Sequence, residues 1–145
     1  LQNTPGSGLH LAVSITKNGQ NLFHPSIEES EEGRQFVAGV LRRAAEMTIF
    51  GNPLTNSFQR LGEFEAPKYI TWSHQNRAPL ITVPLATGGK PNRFKLRSFD
   101  GCINPYIVFA LLIHAGLDGI EDKPELAPAC EENLVTSIEA DRPSD

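Results

Sequence analysis

Cysteine is scarce in this chain, long apolar runs are missing, and there is no surplus of positive charge. Only Cys102 and Cys130 occur, far apart and without C-x-x-C spacing, so neither a zinc site nor a disulfide framework is indicated. No apolar run approaches the roughly 18–20 residues of a membrane span, and no charged-then-apolar signal segment opens the chain. Lysine and arginine number 13 against 17 acidic residues, for a formal net charge of −4. That balance disfavours general nucleic-acid binding, which needs cations for phosphate contacts. A soluble cytoplasmic protein with no membrane or nucleic-acid partner is therefore expected. The chain opens on Leu1 rather than methionine, and is read as part of a longer protein. Its 145 residues, 39% hydrophobic and 21% charged, suffice to bury a core and argue against wholesale disorder.

The glycine-rich stretch Pro5-Gly6-Ser7-Gly8 leads into Leu9-His10-Leu11-Ala12-Val13-Ser14-Ile15. Leu9, Leu11, Val13 and Ile15 alternate with smaller or polar residues, the period of a half-buried strand. His10 and Ser14 then share the face opposite the leucines. Ser26-Ile27-Glu28-Glu29 reads as a capping box. Phe36, Val37, Val40, Leu41, Ala44 and Met47 follow at helical spacing and predict one helix over 29–49, stopped by Gly51-Asn52-Pro53. A short helix over 54–61 is next. Three β-rich stretches, 68–73, 80–83 and 93–97, are separated by turn residues, and 86–92 suggests a hairpin loop. Asn104 followed by Pro105 predicts a helix start, with Gly116 as its end. The fold class expected is α+β, an antiparallel sheet with helices packed on one face.

Three constellations could carry chemistry. Arg93, Lys95 and Arg97 alternate along a strand, so all three cations share one face, about 7 Å apart. They are either a solvated strand face or a site for phosphate or carboxylate, which the planar donor fork of arginine suits. His10 follows a glycine loop whose backbone N–H groups could approach a ligand; the alternative is a structural histidine. Gly62-Glu63-Phe64-Glu65-Ala66-Pro67 is either an acidic connection or a flap carrying a general base.

In order, these pieces resemble the C-terminal portion of the catalytic domain of the glutamine synthetase family. The carriers are Gly6-Ser7-Gly8-Leu9-His10, Asn56-Ser57-Phe58-Gln59-Arg60-Leu61, Gly62 to Pro67, Asn76-Arg77, Arg93-Phe94-Lys95-Leu96-Arg97, Asn104-Pro105-Tyr106, and Gly116-Leu117-Asp118-Gly119-Ile120. The resemblance implies a fragment of an ATP-dependent ligase that phosphorylates the γ-carboxylate of glutamate before ammonia, or another amine, attacks. It implies Gly6, Arg60 and Arg97 as glutamate contacts, and Ser14, Arg77 and Arg93 as nucleotide contacts. Glu65, Arg60 and Arg77 would be catalytic, with Glu65 the flap carboxylate and Glu63 its rival. His10 would be a ligand for magnesium or manganese, and the parent protein a homo-oligomer. Residues 1–122 would belong to the catalytic domain, with 123–145 a surface-draped or partly disordered extension. The residues present are not expected to be active alone.

The departures concentrate on the same site. Lys95 stands where the family pattern has a metal-binding glutamate, and Ala12, Pro5 and Thr82 replace a histidine, an asparagine and an arginine. A lysine about 4 Å from a divalent ion would be repelled by roughly 8 kcal/mol at an effective dielectric near 20. The alternative reading is thus a catalytically degenerate relative with a structural or ligand-binding role.

Overall fold

The computed structural model describes residues 6–64, 66–76, 78–84 and 92–131. Four strands form one sheet: β1 (Leu9–Val13), β4 (Tyr69–Ser73), β5 (Pro79–Thr82) and β6 (Phe94–Phe99), in the order β1-β6-β5-β4. Between β1 and the first helix, β2 (Thr16–Lys17) and β3 (Gln20–Asn21) make a two-residue ribbon around the turn at Asn18 and Gly19, both at positive φ. The helices are α1 (Glu31–Arg42), α2 (Ala44–Gly51), α3 (Thr55–Arg60) and α4 (Pro105–Asp122). This is the expected α+β arrangement. One pairing departs from an all-antiparallel sheet. β6 runs antiparallel to both β1 and β5, but β4 and β5 are parallel, with Tyr69 beside Pro79 and Ser73 beside Thr82. A short connection normally means a hairpin; here Ser73 Oγ donating to Asn76 O at 2.7 Å turns the chain instead. The expected hairpin loop over 86–92 lies almost wholly outside the described residues.

The expected single helix over 29–49 is two. Arg43 (φ −95, ψ 4) breaks it, and Ala44, Met47 and Gly51 of α2 continue the buried stripe at the same three- and four-residue spacing. The Ser26 capping-box contact exists, Glu29 N donating to Ser26 Oγ at 3.1 Å, but it closes a preceding turn. The cap of α1 is Ser30, which accepts from Gly33 N at 3.0 Å.

α4 also departs from expectation. It starts as predicted, with Asn104 Oδ1 accepting from Tyr106 N and Ile107 N, yet passes through Gly116 to Asp122 and ends at Lys123 in a left-handed conformation. The glycines serve packing rather than termination. A Cβ at Gly119 would lie 2.2 Å from Gln35 O, and one at Gly39 would lie 2.3 Å from Ala115 O. Two helix backbones thus touch where any larger residue would hold them apart. Around this seam the core gathers Phe23, Phe36 and Phe94, with ring centroids 6.0–6.1 Å apart, and Ile81, Leu96, Phe99, Val108 and Leu112. Each such buried side chain contributes roughly 1.5–3 kcal/mol before entropy is counted. Residues 124–131 run beside β4, with Trp72 Nε1 donating to Ala127 O and Cys130 N to Trp72 O. Among the described residues, no helix is long and apolar enough to cross a membrane.

Candidate functional site

The site is organised by an irregularity in the β1–β6 ladder. Leu9 pairs with Phe99 but Leu11 pairs with Leu96, so Arg97 and Ser98 together stand opposite His10. This is a β-bulge, a device that redirects side chains beside functional sites. One extra residue reverses the alternation of β6. Phe94, Leu96 and Phe99 all reach the core, whereas strict alternation would have turned Phe99 outward.

The bulge exposes backbone carbonyls that α3 answers. Arg60, in the last turn of α3, donates from Nη2 to Ser98 O at 2.8 Å and Phe99 O at 3.0 Å, with Asn52 Oδ1 at 3.3 Å. Its stem lies against the glycine loop: a Cβ at Gly6 would sit 3.0 Å from Arg60 Cδ, and one at Gly8 would sit 3.4 Å from Nη1. The loop is held from the other side by Asp100. The Ser7 hydroxyl donates to Asp100 Oδ1 at 3.1 Å, Cys102 N donates to the same oxygen at 2.9 Å, and Asp100 N donates to Gly51 O at 2.8 Å.

These contacts set the electrostatics. Burial pushes the Asp100 carboxyl up, but the Cys102 N–H, the nearby Ser57 hydroxyl and the Ser7 hydroxyl outweigh it and hold the group below its ordinary value. Ser57 Oγ acts through proximity, since it makes no hydrogen bond of ordinary geometry. Burial lowers the pKa of Arg60 and the Asp100 charge partly offsets that; the guanidinium stays protonated regardless.

Between the loop and the residues after α3 lies a cleft of about 460 Å³, lined by Gly6, Gly8, His10, Arg60, Glu63 and Phe64. Gly62 and Phe64 take positive φ. Glu63 N donates to Arg60 O at 3.0 Å and Ala66 N to Glu63 O at 2.9 Å. These turns place Glu63 and Phe64 on the lining of the cleft with His10 and Arg60. A left-handed phenylalanine costs of order 1–3 kcal/mol and marks this segment as held by its context.

The expected site residues separate into groups. Gly6, His10 and Arg60 meet at the cleft. Lys95 and Arg97 share the outer sheet face with His10: Lys95 pairs with Ala12 on one side and Thr82 on the other, and Arg97 Nε donates to Thr82 Oγ1 at 3.0 Å. Arg97 is buried, 7% exposed, and Lys95 is half-buried. Ser14 lies just beyond β1 and is exposed. Arg93 precedes β6 and lines a different, small crevice with Glu28, His74 and Asn92, so the three cations are not gathered at one place. Glu65 and Arg77 lie outside the described residues. Among the described residues no three His, Cys, Asp or Glu side chains come together to hold a metal.

Sequence reading missed Asn52, Ser7 and Asp100, which position the loop and Arg60. A buried aspartate directly after a hydrophobic strand end was the available signal. The bulge itself leaves none. His74 approaches Glu28 Oε1 to 2.7 Å through Nε2.

The sequence has counterparts among known proteins. A family model described as "Glutamine synthetase, catalytic domain" matches residues 1–144. The glutamine synthetase of Pyrococcus furiosus is 42% identical over 139 residues, 95% of this chain and 31% of that protein. Those of Staphylococcus aureus and Staphylococcus epidermidis are 44% and 41% identical over 133 residues, 89% of this chain and 30% of theirs. The chain thus spans about a third of the length of these curated relatives. By the extent of this match, the chain belongs to the glutamine synthetase family and forms part of its catalytic domain.

Proposed function

We propose that the polypeptide containing this chain is an ATP-dependent ligase that joins ammonia or an amine to glutamate through a γ-glutamyl phosphate. These residues would supply the wall that grips carboxylate and phosphate. The single observation that carries the reading is the cleft in which the glycine loop, His10, Arg60 and Glu63 converge. Arg60 is fixed by two backbone carbonyls through Nη2 while Nη1 lies toward Gly8, so a guanidinium edge is left for a carboxylate at little ordering cost. Arg97, buried and tied to Thr82, would hold the second carboxylate oxygen or the developing phosphoryl charge. Glu65 would take a proton from the incoming ammonium, with Glu63 as its rival, and Ser14, Arg77 and Arg93 would face the nucleotide. Magnesium or manganese, expected for the family, would neutralise phosphate charge when bound. The parent is expected to be a homo-oligomer, and the 145 residues alone to be inactive.

The test is formation of γ-glutamyl hydroxamate by the complete polypeptide from glutamate, ATP and hydroxylamine, with matching phosphate release. Arg60→Lys keeps the charge but loses the planar fork, and should lower kcat/KM roughly 10–100-fold. A second reading, a degenerate relative that binds ligand without turnover, is favoured by one observation: Lys95 stands directly opposite Ala12, where the family pattern supplies metal ligands. Absence of hydroxamate at saturating substrate, with nucleotide or glutamate still bound, would decide for it.

A further inference from the structure

Arg93 is bracketed by a single loop. The residue before it, Asn92, donates from Nδ2 to Phe23 O at 2.8 Å and to Pro25 O at 2.6 Å, and its own carbonyl accepts from Asn21 Nδ2 at 2.9 Å. The residue after it, Phe94, packs its ring against that of Phe23, with centroids 6.0 Å apart. Asn21 is itself oriented, because its Oδ1 accepts from Phe23 N at 2.9 Å. We propose that Asn92 and Asn21 are positioning residues, a clasp between the 21–25 loop and the start of β6 that aims the Arg93 guanidinium at the phosphates of a nucleotide. This rests on the reading above that Arg93 faces the nucleotide.

The place of Arg93 in the sheet shows why a clasp is needed. The β6 ladder ends at Phe94, which pairs with Val13, and no strand pairing among the described residues includes Arg93. Its backbone is therefore fixed from outside the sheet. An asparagine amide suits that task, since one side-chain nitrogen donates to two carbonyls while the backbone oxygen accepts a third bond. The crevice that Arg93 lines with Glu28 and His74 holds about 30 Å³, far below the few hundred of a ligand site. Its walls support the arginine, and a ligand meets the guanidinium from outside. Glu28, the acid in that crevice, lies 2.7 Å from His74 Nε2, and Arg93 forms no salt bridge among the described residues. A phosphate gripped by the planar donor fork is sensitive to where the stem of the arginine begins, and the clasp sets that point.

Steady-state formation of γ-glutamyl hydroxamate by the complete polypeptide tests it. Arg93→Ala is expected to raise KM for ATP at least about tenfold and Asn92→Ala about fivefold, with KM for glutamate within about twofold in both. Asn92→Asp keeps the shape but turns a carboxylate toward two carbonyls, and should do at least as much harm as Asn92→Ala. Asn21→Ala should raise KM for ATP about two- to threefold, and carries the same comparison if the Asn92 variants do not fold. In an Arg93→Ala background, Asn92→Ala is expected to add less than about twofold, because its effect passes through Arg93. Full additivity overturns the inference. So does an equal rise in KM for glutamate, or a KM for ATP in Asn92→Ala or Arg93→Ala that matches the wild type. If the complete polypeptide forms no hydroxamate, the ligase reading fails, and dissociation constants for a non-hydrolysable ATP analogue then decide the clasp by the same ratios. Absence of binding, or unchanged affinity in Asn92→Ala, overturns it there as well.

Discussion

Two pairs of glycines do different work in this molecule. At the α1–α4 seam, Gly39 and Gly119 bring backbone against backbone, and a Cβ at either would lie within 2.3 Å of a carbonyl oxygen. At the mouth of the cleft, Gly6 and Gly8 face the Arg60 side chain, where a Cβ would lie at 3.0 and 3.4 Å. The first contact is between groups that cannot yield, because each carbonyl is fixed in its helix. The second is with the stem of a long side chain, which can shift by a few tenths of an ångström. The seam is therefore built for stability and the cleft for adjustment around a ligand.

Substitution should separate the two regions. Gly119→Ala should cost about 1–3 kcal/mol through overpacking, more than the roughly 1 kcal/mol that alanine gains in helix propensity. Urea unfolding would read it as a lowered midpoint with unchanged slope, and a midpoint at or above wild type would break the comparison.

Asp100, which ties the glycine loop to α2 through Ser7 and Gly51, should show an intermediate and pH-dependent effect. Its folded pKa is depressed, so its stabilisation is complete above the ordinary carboxylate value near 3.9. That stabilisation is lost as pH falls through the lowered folded value. Asp100→Asn should cost roughly 1–2 kcal/mol at neutral pH and progressively less in acid. A constant difference across the acid limb of the stability profile would contradict this.

The smallest stability effect should come from Gly6→Ala, within about 0.5 kcal/mol, because Arg60 can move aside. Its cost should appear instead as weaker glutamate binding in the complete polypeptide. A large loss of stability with unaltered binding would place Gly6 with the seam glycines.

Much of the helical side was legible in advance because burial follows short-range period. Asn104 and Pro105 marked the start of α4, and the spacing of Phe36, Val37 and Val40 marked the apolar face of α1. Arg43 carries no breaker signal, so the division of one periodic segment into α1 and α2 was not legible. Gly116 was read as a stop because local propensity cannot tell a glycine that ends a helix from one that admits a neighbouring ring. The motif residues Gly6, His10 and Arg60 were readable as candidates from residue type and order. Their convergence was not, nor was the separation of Arg93 from Lys95 and Arg97.

The amino-acid sequence by itself determined the kinds of element, their order, the family and the chemical identity of the candidate ligands, since these depend on side-chain type and near-neighbour spacing. Only the tertiary structure decided the parallel pairing of β4 and β5, the bulge opposite His10, and the placing of Arg60 between a glycine loop and two bare carbonyls. Those features depend on which distant segments meet. A one-residue offset in a ladder changes the faces of a whole strand without altering any local preference.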